Sequence, residues 1–66
     1  MKDYVVRMVD ELNELQTKAE KLNIFIEQND IYKSLPQEKQ DLMRDQWHAM
    51  CLYIDILNKR IALEEE

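Results

Sequence analysis

The sequence predicts an all-α protein, a two-helix antiparallel hairpin that assembles into a homo-oligomeric helical bundle. The 66-residue chain contains no Gly and one Pro, so few residues favour the positive φ angles that tight β-hairpin turns require. Apolar residues recur at intervals of three and four in two long segments, and a short polar segment separates them. A chain of this length forms at most one small domain, which we place at residues 1–66.

Helix 1 is predicted at about residues 3–28. Its apolar positions alternate in steps of three and four, so they lie along one face of the helix. These positions are Val5, Met8, Leu12, Leu15, Ala19, Leu22 and Ile26.

The apolar pattern stops at about residues 29–34, where we predict a turn. Asn29 and Asp30 are common in turns. After them, Ser34 and Gln37 have the spacing of a capping box, and Pro36 suits the first turn of a new helix. Because the connection is short, the second helix is expected to fold back on the first.

Helix 2 is predicted at about residues 35–63, with two apolar rows side by side. The first row is Met43, Trp47, Met50, Ile54, Leu57 and Ile61. The second row is Leu42, Gln46, Ala49, Tyr53, Ile56, Arg60 and Leu63. The acidic residues 64–66 oppose the helix dipole at a C-terminus, so we expect them to form a frayed, solvated tail.

One partner helix can cover only one of the two rows, so further copies of the chain are expected to cover the other. We expect Phe25, Trp47, Met50 and Tyr53 to form an exposed apolar patch on the isolated hairpin. The predicted assembly is a four-helix dimer or a higher ring of hairpins.

The second row also supplies the candidate ligand-binding residues. Gln46, Tyr53 and Arg60 recur at intervals of seven and offer an amide, a phenol and a guanidinium on one stripe. Two interpretations stay open, a hydrogen-bond network that fixes the register of an interface and a ligand site at a subunit boundary. Lys21 and Arg44 are further basic candidates for such a site.

Composition argues against several classes of protein. The formal net charge of −5 disfavours general DNA binding, and the single cysteine, Cys51, forms no internal disulfide and is too few for a cysteine zinc site. His48 lies three residues before Cys51, but we interpret the two as a surface and a packing residue. We expect no enzyme activity, no cofactor or metal, no membrane segment and a cytoplasmic location.

Most of the chain, from about residue 5 to 62, resembles a family of very small tailed-phage and prophage proteins described as crAss-phage-related proteins of unknown function. The resemblance lies in residues 22–26, in 35–38, in 41–50 and in Tyr53 through Ile61. That family is similar in turn to the helical-hairpin domain of phage anti-CBASS and anti-Thoeris proteins.

Those proteins are oligomeric sponges that hold cyclic oligonucleotide or cyclic ADP-ribose signals of bacterial immunity without cleaving them. The resemblance therefore implies a phage anti-defence protein, active in the host cytoplasm, that sequesters a cyclic nucleotide between protomers. The alternative is a non-enzymatic interaction module whose second row captures a host or phage protein.

Overall fold

A computed structural model describes residues 2–64 and shows three helices: α1 Asp3–Gln28, α2 Asp30–Ser34 and α3 Gln37–Glu64. The Tyr4 hydroxyl donates a hydrogen bond of 2.7 Å to Glu64 Oε2, which places the start of α1 beside the end of α3. The two long helices are therefore antiparallel, and the Cα atoms span 47 × 14 × 13 Å. The all-helical prediction is confirmed for the described residues, and α1 has the bounds that its apolar pattern predicts.

The core lies between the facing sides of α1 and α3. Leu57 of α3 is completely buried, and the described core also contains Val5, Met8, Leu12 and Ala19 of α1 and Tyr32 of α2. The remaining apolar residues of the helix 1 pattern and of the first row are half-buried. Each of these residues therefore lies on the side of its helix that the three-and-four spacing predicts. Within residues 2–64, the structure contains no helix that is both long and apolar enough to cross a membrane.

The predicted turn at residues 29–34 is wrong in detail, because residues 30–34 form the one-turn helix α2. Asn29 caps it: its backbone is extended, and its Oδ1 accepts a 2.8 Å hydrogen bond from the Ile31 amide. Tyr32 lies outside the apolar pattern of the two long helices, yet it is buried at this corner. Its ring meets Phe25 edge-on at 6.1 Å, and its hydroxyl donates to the Gln40 carbonyl at 3.3 Å.

The predicted capping box is also wrong. Ser34 ends α2, and its hydroxyl donates to the Ile31 carbonyl at 2.7 Å instead of capping the next helix. Helix α3 begins at Gln37 and not at residue 35. Pro36 precedes it, and the Pro36 carbonyl accepts from the Gln40 amide at 3.1 Å. Leu35 is extended, as expected for the residue before a proline.

The predicted frayed tail needs one correction at its first residue. Glu64 belongs to α3 and accepts the hydrogen bond from Tyr4. Residues 65 and 66 lie outside the described range.

Candidate functional site

All seven members of the second row are exposed along α3. At 1.5 Å of rise per residue, the row extends about 32 Å from Leu42 to Leu63. Adjacent residues differ by about 100° around a helix, so Ile56 points away from the core into which its neighbour Leu57 points. Ile56 is 54% exposed and Leu57 is 0% exposed. The hairpin thus leaves one side of α3 without a partner.

The apolar patch differs in membership from the predicted one. Phe25, Trp47 and Met50 are half-buried: the Phe25 ring packs against Tyr32, and Trp47 and Met50 belong to the first row. Tyr53 is exposed as predicted. The large apolar residues exposed beside it on α3 are Leu42, Leu52, Ile56 and Leu63.

Gln46, Tyr53 and Arg60 lie on one stripe within this exposed row. Each is about 10 Å from the next along the helix axis, because seven residues rise by two turns. The Tyr53 side chain is 43% exposed, which leaves its ring accessible from solvent. None of the three side chains forms a hydrogen bond or an ion pair with another residue in the range 2–64. Their polar groups are therefore available to a ligand or to a second protein surface.

Lys21 lies in a different place. It lines a shallow groove of about 410 Å³ with Ile24, Phe25, Gln28 and Asn29, at the α2 end of α1. In a single hairpin this groove is separate from the second row, because the groove residues belong to α1 and to the residue that follows it.

Arg44 also points away from the second row. It is two positions from Gln46, which corresponds to about 200° around α3. Arg44 lines a shallow charged depression with Asp41, Asp45 and His48. His48 is exposed with its ring 5.3 Å from that of Trp47, and Cys51 is half-buried. No cluster of three or more potential metal-ligating side chains occurs in the part of the chain that the structure describes.

A flanking line of residues on α3 was not predicted from the sequence. Asp45, Leu52 and Lys59 are spaced by seven, are exposed, and lie beside the second row on its solvent side. The Lys59 ammonium pairs with the Asp55 carboxylate at 2.9 Å, and this hydrogen bond and charge raise the pKa of Lys59. The interval of seven was the signal that could have identified the line.

Comparison with known proteins identifies a family. A family model described as Sequestin matches residues 2–63, which is nearly the whole chain. No curated protein matches the chain. No solved structure matches it either. The family name indicates a sequestering binding protein.

Proposed function

The chain belongs to the Sequestin family, and from this premise we propose that it is a phage anti-defence protein that sequesters a cyclic nucleotide immune signal. In this proposal several copies assemble in the host cytoplasm and hold the ligand at the boundaries between them without cleaving it. The observation that carries the proposal is the exposed stripe of Gln46, Tyr53 and Arg60, whose polar groups have no partner among residues 2–64.

The three side chains match the chemistry of a nucleotide. An exposed tyrosine ring can stack on a base, and such stacking contributes about 1–3 kcal/mol per base. A guanidinium can hold a phosphate with two parallel hydrogen bonds, and an amide can pair with a base edge. Tyr53 therefore has the stacking role, Arg60 the phosphate role and Gln46 the base-edge role.

Assembly is part of the proposal because one hairpin offers these groups only on an open, convex helix surface. Small-molecule sites are concave and cover most of the ligand. A second surface placed over the row would turn the stripe into the wall of a cleft. Lys21 and Arg44 lie away from the row in one hairpin, so they could contribute only from a neighbouring copy.

Sequestration needs affinity and a high copy number, and it needs no chemical step. We therefore propose that the protein is not an enzyme and releases its ligand unaltered. The net charge of −5 opposes the approach of an anionic ligand, so the contacts of Arg60 must outweigh a repulsive average field.

Calorimetric titration with cyclic dinucleotides, cyclic trinucleotides and cyclic ADP-ribose isomers tests this function. We expect binding of at least one of them, and mass spectrometry of the ligand recovered after heat denaturation should show an unchanged mass. The association constant of the bound compound should fall at least tenfold in the Tyr53→Ala variant and in the Arg60→Ala variant.

Tyr4→Ala is the matched control, because Tyr4 is exposed to a similar extent but lies on α1. We expect it to leave the affinity within about twofold of the original. Absence of binding to every compound, or an equal loss in both tyrosine variants, would contradict the proposed site.

A second candidate function follows from the apolar members of the row. Leu42 and Leu63 are 62% and 69% exposed, and apolar surfaces of this kind commonly contact proteins. In this alternative the row captures a helix of a host or phage protein. A pull-down that retains a stoichiometric protein and no compound with nucleotide absorbance would favour it.

A further inference from the structure

The second row of α3 has nearly the same chemical order in both directions. From either end it presents a leucine, a long polar side chain, an aliphatic residue and then Tyr53 at the centre. The outer members are Leu42 and Leu63, followed inward by Gln46 and Arg60, and then by Ala49 and Ile56. A surface with this symmetry is suited to contact a copy of itself in the opposite direction.

We propose that two hairpins dock through their second rows in an antiparallel, two-fold symmetric arrangement, with the two Tyr53 residues meeting near the axis. This inference rests on the assembly in the proposed function and specifies its geometry. The occupant of the unpartnered face is a second copy of this chain.

The antiparallel register pairs side chains of matching shape and chemistry. Leu42 of one copy faces Leu63 of the other, so both ends of the interface are closed by apolar contacts. The small Ala49 faces the large Ile56, which lets the two helices interdigitate. Without ligand, the Gln46 side-chain carbonyl faces a guanidinium of Arg60 that can donate to it, and a nucleotide bound at the boundary would replace this contact.

The flanking line of Asp45, Leu52 and Lys59 selects the direction of pairing. In the antiparallel register Asp45 of one copy lies near Lys59 of the other, and Leu52 lies near its own counterpart. In a parallel two-fold pair the two flanking lines would lie on opposite edges of the interface, so the Asp45 and Lys59 side chains of the two copies would not meet. Opposite charges that meet at the edge of a helix pair favour the orientation that brings them together, which here is the antiparallel one.

The charges on helix α1 agree with the same register. From the contact between Tyr4 and Glu64, eleven residues along each helix lead to Leu15 and Tyr53, which therefore lie at the same level. Glu11 and Lys18 are exposed residues on either side of Leu15, and their helical positions face the same side of the hairpin as the second row. A two-fold axis near Tyr53 brings Glu11 of one copy opposite Lys18 of the other.

Disulfide trapping without any ligand tests the register. In a Cys51→Ala background, chains carrying Gln46→Cys are mixed with chains carrying Arg60→Cys and oxidised. We expect the mixture to form a cross-linked dimer at least fivefold more abundantly than either variant alone. Efficient cross-linking of Gln46→Cys with itself would show parallel pairing and overturn the proposal.

Sedimentation of two isoleucine variants tests the face itself. Ile56→Asp should convert the dimer into a folded monomer, with helicity checked by circular dichroism. Ile24→Asp should remain dimeric, because Ile24 is exposed to a similar degree on the α1 groove. A monomeric original protein, or an Ile56→Asp variant that stays dimeric, would overturn the proposal.

The outcomes separate this inference from the proposed function. A trapped antiparallel dimer that binds no cyclic nucleotide would contradict the function alone. A protein that binds the nucleotide as a monomer, or through a different interface, would contradict the interface alone. Occupation of the row by a different protein, with no self-association, would also contradict the interface.

Discussion

Neighbouring residues in α3 have opposite environments, and this determines what each of them contributes. Leu57 is the only fully buried large side chain among the described residues, whereas Ile56 and Asn58 on either side of it are exposed. The free energy of folding thus depends strongly on one leucine, because a hairpin of this size has few other fully buried contacts.

We expect Leu57→Ala to lower the free energy of unfolding by about 2–5 kcal/mol, since it removes buried methyl groups and leaves a cavity. Urea denaturation followed by circular dichroism measures this change. Ile31→Ala is the control, because Ile31 is 62% exposed on α2. The Ile31→Ala substitution should change the free energy of unfolding by no more than about 0.5 kcal/mol. A similar loss in both variants would show that Leu57 has no special place in the core.

The helical elements meet at a corner that is held mainly by side chains. Asn29 caps α2, and Gln40 donates to the carbonyl of Leu35 at 2.9 Å, so α3 is tied back to the connection that precedes it. The buried Tyr32 fills the space beneath this corner. Together these contacts fix the direction in which the chain reverses.

Replacing Asn29 by Ala should destabilise the protein by about 1 kcal/mol, because the Ile31 amide loses its capping acceptor. Thermal unfolding and urea titration both measure the change. Asn58→Ala removes the same amide group from an exposed position inside α3, where alanine favours the helix. If Asn58→Ala lowers the free energy of unfolding as much as Asn29→Ala does, loss of the helix cap is not the cause of the destabilisation.

The long helices were predictable from sequence because their apolar spacing repeats over several turns. The corner was not, since Ser34 and Gln37 match a capping box while the actual cap, Asn29, starts an unexpected helix of only five residues. Tyr32 was missed because a single aromatic residue between polar neighbours has no periodic signal. The spacing of Gln46, Tyr53 and Arg60 was visible in the sequence, and so was the angle of about 200° between Arg44 and Gln46 on one helix. The exposure of the three stripe residues required the three-dimensional arrangement.

The molecule as a whole is a narrow rod whose two helices bury one side of each other. Its exposed second row spans most of the length of α3, so burying the row would remove the exposed apolar surface of Leu42, Tyr53, Ile56 and Leu63 from water. Association with a second copy would therefore contribute directly to the stability of the fold.

We expect the melting temperature to rise with protein concentration, because dimer formation stabilises the folded state by mass action. Circular dichroism melts at about 2, 20 and 200 μM measure this dependence. Ile56→Asp should remove the dependence and Ile24→Asp should retain it. A melting temperature that is constant across the series would indicate that a single hairpin folds alone.

The contact between Tyr4 and Glu64 has a consequence for the connectivity of the chain. Since α1 begins where α3 finishes, a short linker could join these two points and the backbone could be opened elsewhere, which is the condition for circular permutation. A permuted polypeptide in which α3 precedes α1 would keep the same interior. The fold is therefore determined by which faces of the helices pack together, and it does not depend on the order of the helices along the chain.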